Sequence, residues 1–258
     1  MQLKFGAGTD PGRVRARNED RYVAEADLGF FAVVDGMGGH AGGELASATI
    51  AEAATEFIRQ TASDPDKTWP VGLDPRLSGL ANRLQVAVHG ANKTLAARAQ
   101  NDTTLEGGGA TLAAMLFGDD KLAVSNVGDC RAYLLSGGHL SQLTRDHSVV
   151  AEQVEQGLID EEAARTHPLR HVVTRAVTGE VDMAIDVHEL AVSLGDRLVL
   201  CSDGVHGVLT DVEIARLVSA HGQSLDAICR AILDETNSRG GPDNATTVIV
   251  EVAPSDAG

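Results

Sequence analysis

The 258-residue sequence carries 21 Lys and Arg against 37 Asp and Glu. This formal net charge of −16 disfavours nucleic acid and anionic membranes as partners, because both require clustered cations. The three cysteines include no C-x-x-C pair and the N-terminus MQLKFGAGTD has no apolar export segment, so we expect a soluble, cytoplasmic protein without a disulfide framework or zinc site.

Short apolar runs and longer amphipathic stretches follow one another along the chain. Apolar runs bounded by Gly, Asp or Asn predict strands over 30–34, 111–117, 122–127, 131–135, 184–190, 197–201 and 246–252. Stretches with apolar residues three or four apart predict helices over 43–62, 77–100, 211–220 and 224–238. About four strands follow in succession between 110 and 143. Hairpin links between them favour antiparallel pairing and an α+β layered fold in one domain, 1–258.

Two segments do not fit this scheme. Residues 63–79 hold three of the seven prolines and Trp69, the only tryptophan, and predict an exposed loop insertion or a contact surface. Residues 146–178 are polar and contain two short helical patterns, which Gly157 and Pro168 end. This second segment is either a mobile flap subdomain or a helical connection packed on the edge of the domain.

Four aspartates stand where buried strands end: Asp35, Asp129, Asp203 and Asp243. A carboxylate beside an apolar strand is costly unless its charge is compensated, and convergence on shared cations would compensate all four. Carboxylate oxygens without a thiolate set favour Mg²⁺ or Mn²⁺ over Zn²⁺. Two such ions about 4 Å apart can activate a shared water for phosphoester hydrolysis.

The order and spacing of five motifs resembles the metal-dependent type 2C protein phosphatases, the PPM family. The motifs are VRARNED, DGMGGHAGGE, GDCR, SDG and GPDNATT, and the resemblance spans Gly8 to Val252. It is strongest to compact bacterial members that carry DGMGGH. The resemblance implies a four-layer αββα sandwich, in which two central, mainly antiparallel β-sheets are flanked by helices. It also implies a bacterial protein serine/threonine phosphatase that hydrolyses phosphoserine and phosphothreonine.

The resemblance assigns roles to the matching positions. It implies two Mn²⁺ or Mg²⁺ ions with a third, weaker site, and direct attack on phosphorus by a hydroxide that the two ions share. Asp35 bridges the two ions and Gly36 lends its carbonyl. The remaining implied metal ligands are Asp203 and Asp243 for one ion, Glu19 and Asp20 for the other, largely through water, and Asp129 with Asp203 for the third.

Two further roles concern the phosphate and the leaving group. Arg15 stands four residues before Glu19, where the family has its phosphate-binding arginine, and Arg13 and Arg17 are its rivals. His40 aligns, across a short gap, with a histidine proposed to protonate the leaving oxygen, or it is a structural histidine. Cys130 replaces the usual Ser of GDSR, and we expect a buried, inert thiol.

Other classes fit less well. A cysteine-dependent phosphatase needs Arg six residues after its nucleophile, and no cysteine here has one. A phosphatase that forms a covalent aspartyl intermediate needs D-x-D after a strand, and DGM at 35–37 does not provide it. A Ca²⁺-binding structural domain would need a compact acidic loop. The alternative that remains is a catalytically silent PPM-like regulatory binding module, which should have lost metal carboxylates. For the enzyme we expect phosphorylated proteins, the substrates of a bacterial Ser/Thr kinase, as partners of a monomer.

Overall fold

A computed structural model describes residues 1–38, 41–63 and 73–255. Ten strands form two five-stranded sheets in which every neighbouring pair is antiparallel. The first sheet has the order β1-β10-β9-β6-β7 and the second β2-β3-β4-β5-β8. The strands are β1 (Gln2–Asp10), β2 (Asp20–Glu25), β3 (Phe30–Met37), β4 (Gly109–Phe117), β5 (Lys121–Val127), β6 (Arg131–Ser136), β7 (His139–Gln142), β8 (Asp186–Ala191), β9 (Arg197–Cys201) and β10 (Ala245–Ala253).

Seven α-helices accompany the sheets in the described part of the chain. They are α1 (Gly42–Ser63), α2 (Gly79–Ala99), α3 (Val149–Glu155), α4 (Glu161–Thr166), α5 (Asp203–His206), α6 (Asp211–Val218) and α7 (Leu225–Ser238). Helices α1 and α2 pack on the second sheet, and α6 and α7 pack on the first. This arrangement confirms the predicted α+β sandwich of four layers. None of the described helices is long and apolar enough to cross a membrane.

Three hydrophobic cores separate the four layers. In β3 the side chains of Phe31 and Val33 enter the core between the sheets, whereas Phe30 and Ala32 enter the core beneath α1 and α2. Successive residues of a strand point to opposite faces, so a strand that is buried on both faces needs an uninterrupted apolar run. This is why the central strands were predictable from sequence.

Two edge strands, β1 and β2, were not predicted, and β7 was expected only as the last of about four strands between 110 and 143, without bounds of its own. β1, β2 and β7 each lie at an edge of a sheet, and each contains charged or polar residues that remain partly exposed. The fourth edge strand, β8, was predicted over 184–190 and begins two residues later. An edge strand contributes fewer side chains to a core, so it lacks the apolar run on which the prediction depended.

Of the two segments that did not fit the scheme, the structure describes 146–178 in full and 63–79 only in part. Residues 64–72, including Trp69, lie outside the described residues, so the prediction of an exposed loop insertion or contact surface remains a prediction. The segment 146–178 contains α3 and α4, as predicted. An isolated β-bridge joins Ser148 to Val173 within the segment, and a second joins Val177 to Ala110 of β4, so the end of the segment is anchored to the second sheet.

Candidate metal centre

Asp20 and Asp35 form a buried pair at one end of the second sheet. They are direct partners in the antiparallel pairing of β2 with β3, which places their carboxyl groups side by side. Ser202 Oγ and Thr246 Oγ1 donate to Asp20 Oδ2 at 2.8 and 2.7 Å. The other oxygen, Asp20 Oδ1, is buried and has no hydrogen-bond partner. A buried carboxylate oxygen without a partner is costly, and a cation is the ligand that would satisfy it.

Asp203 joins this pair from the first sheet. It follows β9, and it lies close enough to Asp20 and Asp35 for its charge to raise the pKa of both. Burial raises the pKa of Asp35 well above its usual range, and the neighbouring carboxylates raise it further. Burial also raises the pKa of Asp20 to about 6. Negative charges held this close stabilise a divalent cation, which removes their mutual repulsion.

Asp129 lies in the turn between β5 and β6 and is 7% exposed. Burial and then the charge of Asp203 raise its pKa to about 7. Gly128 precedes it with a φ of 105°, and a Cβ there would collide with the side chain of Thr111. The glycine therefore allows the tight turn that brings Asp129 to the cluster.

Asp243 and Arg15 meet at the open side of the cluster. Arg15 Nη2 donates to Asp243 Oδ2 at 2.6 Å, with 58% of the arginine side chain exposed and 26% of the aspartate. Hydrogen bonding to Asp243, and then its charge, raises the pKa of Arg15. The guanidinium is thus fixed beside the carboxylates while much of it still faces solvent.

Asn244 holds the loop that carries Arg15. Its Oδ1 accepts from the backbone N–H of Glu19 at 2.8 Å, and its Nδ2 donates to the carbonyls of Pro11 and Arg17 at 3.0 and 2.8 Å. The side chain of Asn244, which is 6% exposed, therefore bridges both ends of this loop. This sets the position of Arg15 relative to the cluster.

Two glycines let backbone segments approach the carboxylates closely. The Gly36 N–H donates to the Glu19 carbonyl at 3.2 Å, and a Cβ at Gly36 would collide with the Gly43 and Glu19 carbonyls. A Cβ at Gly204 would collide with the Asn244 carbonyl. Any larger residue at either position would push the strand ends apart.

Two histidines border the cluster. His171, from the segment 146–178, has Nδ1 at 3.7 Å from Asp203 Oδ2, and its side chain is 61% exposed. His206 is buried, its Nε2 lies 2.9 Å from the Asp129 carbonyl, and burial lowers its pKa to about 4. The sequence analysis gave neither histidine a role.

The structure thus brings together Arg15, Asp20, Asp35, Asp129, Asp203 and Asp243, with Glu19 and Gly36 beside them. His40 lies outside the described residues. Cys130 is a buried free thiol, and burial raises its pKa, as expected for an inert side chain. Sequence reasoning missed Asn244, Ser202, Thr246 and His171. None of the four had a local sequence signal, because each acts through contacts with residues distant in the chain.

The donor set fits a hard dication. All the candidate side-chain ligand atoms are carboxylate oxygens, one of them buried without a partner. Burial first, and then the neighbouring carboxylates, raise the pKa values of Asp20, Asp35 and Asp129. Within residues 1–38, 41–63 and 73–255, however, no three His, Cys, Asp or Glu side chains stand close enough together to hold a metal ion. The site is therefore an open cluster of carboxylates, in which Arg15 and His171 contact two of them.

Two antiparallel sheets between helical layers, with an open carboxylate cluster at the strand ends, define the class of protein: an αββα sandwich with an acidic cluster at one edge. Comparison with known proteins agrees: the family model for "Protein phosphatase 2C" matches residues 7–242. The chain belongs to the protein phosphatase 2C family, which confirms the resemblance inferred from its motifs.

Individual relatives support this membership. The chain is 37% identical over 259 residues to the serine/threonine protein phosphatase PstP of Mycobacterium tuberculosis, an alignment that covers 100% of this chain and 46% of that protein. The chain thus spans about half the length of this relative. It is 30% identical to the serine/threonine phosphatase stp of Listeria monocytogenes, with 94% of this chain and 93% of that protein covered. The crystal structure of the PstP catalytic domain in complex with two manganese ions superposes with a TM-score of 0.81 at 35% identity, and covers 98% of this chain and 99% of that one.

Proposed function

We propose that this chain is a metal-dependent protein serine/threonine phosphatase that hydrolyses phosphoserine and phosphothreonine. The observation that carries the proposal is the buried Asp20–Asp35 pair with its partnerless oxygen, which Asp203 and Asp129 adjoin. Such a concentration of carboxylates has no structural use that neutral side chains would not serve better. The names of the relatives and their high coverage of this chain support the same activity.

The cofactor is a pair of Mn²⁺ or Mg²⁺ ions. The ligands would be Asp35, Gly36 through its carbonyl, Asp203 and Asp243, Glu19 and Asp20 largely through water, and Asp129 at a third site. When bound, these ions supply charge for the phosphoryl oxygens and lower the pKa of a water. The related PstP domain binds two manganese ions, and the open oxygen cluster of this chain suits the same ions.

The residues of the chain bind and orient the phosphate. Arg15 lies at the mouth of the cluster with its guanidinium exposed, so it can donate two parallel hydrogen bonds to a phosphoryl group while Asp243 holds it in place. Asn244 keeps the Arg15 loop fixed and so limits the positions that the phosphate can take. Protonation of the leaving oxygen by His40 stays a prediction, as does the alternative structural role of that residue.

We also propose the substrates, the oligomeric state and the cellular location of the enzyme. Phosphorylated proteins are the substrates, and those made by a bacterial Ser/Thr kinase suit the activity best. The net charge of −16 favours a monomer that binds neither nucleic acid nor membrane. We place the enzyme in the cytoplasm because its three cysteines include no C-x-x-C pair. We further propose that residues 1–258 are one phosphatase domain, in which 146–178 is a flap beside the cluster, because His171 reaches Asp203 from it.

Hydrolysis of a phosphothreonine peptide and of an aryl phosphate, with Mn²⁺ or with chelator, tests the proposal. We expect phosphate release only with the divalent ion, and its loss in Asp35→Asn. A catalytically silent binding module would instead bind the phosphopeptide and release nothing. No observation favours that second reading, because every carboxylate that the family motifs require is present.

A further inference from the structure

His147 lies where both ends of the segment 146–178 meet the turn that carries Asp129. Its backbone N–H donates to the Gly128 carbonyl at 2.9 Å, and its own carbonyl accepts from the Thr174 N–H at 2.8 Å. His147 therefore connects the beginning of this segment to its end and also to the turn. Neither the sequence analysis nor the proposed mechanism gives it a role.

The imidazole makes a second set of contacts with the same turn. It is 3% exposed, and the Gly128 N–H donates to His147 Nδ1 at 3.0 Å. Because Nδ1 accepts, a neutral ring carries its proton on Nε2, which lies 3.1 Å from Asp186 Oδ2. Burial lowers the pKa of His147, in agreement with a neutral ring. Gly128 and Asp186 thus fix one tautomer and one ring orientation.

Asp186 ties this arrangement to the sheet. It is the first residue of β8, and its Oδ1 accepts from Arg175 Nη1 at 3.0 Å. Arg175 Nη1 also lies 3.2 Å from His147 Nε2. Because Nδ1 accepts from Gly128, Nε2 carries the proton and cannot accept from Arg175, so both groups donate to the Asp186 carboxylate. The carboxylate therefore orients the imidazole from the side opposite to Gly128.

The turn itself depends on this support. Gly128 has a φ of 105°, and His147 bonds both its N–H and its C=O, which would otherwise be unsatisfied in this buried turn. On the other side, Arg131 Nη2 is paired with Asp146 Oδ2 at 2.7 Å. Asp129 lies between these two anchors, with its carboxylate close enough to Asp203 for their charges to interact.

We propose that His147 is a positioning residue: with Asp186 it fixes the Gly128–Asp129 turn, and so sets the affinity of the divalent-ion site that Asp129 and Asp203 form. His147 touches neither substrate nor ion. The inference rests on one part of the proposed function, namely that Asp129 and Asp203 bind a divalent ion.

The test is a titration of the full chain with Mn²⁺, in which binding is measured by electron paramagnetic resonance and by calorimetry. His147→Ala should weaken the weakest Mn²⁺ site about 10- to 100-fold and leave the other sites unchanged, as is typical when an outer partner of a ligand is lost. His147→Asn should restore most of the affinity, because its Oδ1 can replace Nδ1 as the acceptor. Asp186→Ala should weaken the same site, and His139→Ala, an exposed histidine at the start of β7, should change nothing.

A readout without any ion separates positioning from general stability. In the metal-free protein, ¹⁵N spectra of the His147 ring should show an unprotonated Nδ1 and a protonated Nε2, and the Gly128 amide should shift in His147→Ala but little in His147→Asn. The opposite tautomer would overturn the inference. So would a His147→Ala protein that is less stable yet binds Mn²⁺ like the wild type at every site.

The remaining outcomes are also decisive. If His147→Ala does not fold, unaltered Mn²⁺ binding in Asp186→Ala would still refute the positioning role. A wild-type chain that binds Mn²⁺ but hydrolyses no phosphopeptide would contradict the proposed function alone. One that binds no Mn²⁺ would contradict both.

Discussion

Arg15 Nη2 donates to Asp243 Oδ2 at 2.6 Å, although the two residues lie 228 positions apart in the chain. The pair joins the candidate phosphate-binding side chain to a candidate metal ligand. A phosphate bound by Arg15 is therefore placed next to the ions, and any movement of one partner displaces the other.

Replacing Arg15 should impair phosphate binding. Arg15→Ala should lower kcat/KM for a phosphothreonine peptide about 10²-fold, since one donor set that faces the phosphoryl group is lost. Arg15→Lys should recover little, because an ammonium cannot make two parallel hydrogen bonds. Steady-state kinetics with Mn²⁺ checks this, with Arg13→Ala as the control. A larger loss in Arg13→Ala than in Arg15→Ala would assign the phosphate to the rival arginine.

Removing a shared charged ligand should abolish turnover. Asp35→Asn and Asp203→Asn should each lose at least ~10³ in kcat, because a neutral amide cannot replace a carboxylate between two dications. Both proteins should remain folded by circular dichroism, since burial already raises the pKa of Asp35. Near-normal turnover of both variants with added Mn²⁺ would refute the ligand assignment.

The chelated protein should lose stability as pH rises through the neutral range. Burial raises the pKa of Asp20 to about 6 and of Asp129 to about 7, while an unfolded Asp titrates near 3.9. At these two aspartates the folded chain therefore binds more protons than the unfolded chain, whereas at His206, whose pKa burial lowers to about 4, it binds fewer below about pH 6.5. The free energy of unfolding should therefore fall most clearly from about pH 6.5 to about 7.5.

Thermal unfolding in EDTA across this range measures the effect. The fall in Tm should be smaller in Asp20→Asn, and excess Mn²⁺ should suppress it by binding the charged carboxylates. A Tm that climbs with pH in EDTA would show that these groups are not buried as described.

Asn244 should matter for both folding and catalysis. Asn244→Ala removes three hydrogen bonds to the loop of residues 11–19 and should cost about 1–3 kcal/mol of unfolding free energy. KM should rise as Arg15 loses its fixed position. Urea unfolding and kinetics measure the two effects, and Asn101→Ala, exposed after α2, is the matched control. An unchanged KM would mean that Asp243 alone positions the arginine.

Close backbone packing beside Asp203 should tolerate no side chain. Gly204→Ala places a Cβ against the Asn244 carbonyl and should destabilise the chain by about 1–3 kcal/mol and weaken Mn²⁺ binding. Gly79→Ala meets nothing within 4 Å and should be neutral or slightly stabilising. Equal stability of the two variants would disprove the close contact.

The sequence predicted those parts of the fold that are buried on both faces. The strands β3, β4 and β9 each contain an uninterrupted apolar run because cores lie on either side of them, and this run is the signal on which the prediction depends. The edge strands β1 and β2 escaped detection because their pairing partners, and not their own composition, hold them in the sheet.

The site was predicted in the same uneven way. Asp35, Asp203 and Asp243 stand next to apolar strands, where a charge is conspicuous. Asn244 and His147 act through hydrogen bonds to distant backbone groups, at Pro11 and Gly128. Such contacts depend on tertiary distances, which have no signature in local sequence.

The first strand and the last are neighbours: β1 pairs with β10 along its whole length, from Gln2 opposite Ala253 to Asp10 opposite Ala245. Asp20 begins β2, the next strand after β1, and Asp243 lies just before β10. A chain emerging from the ribosome therefore lacks one wall of the cluster until β10 has been synthesised, and contacts of such long sequence separation form slowly. Ion binding must therefore wait until β1 and β10 have paired.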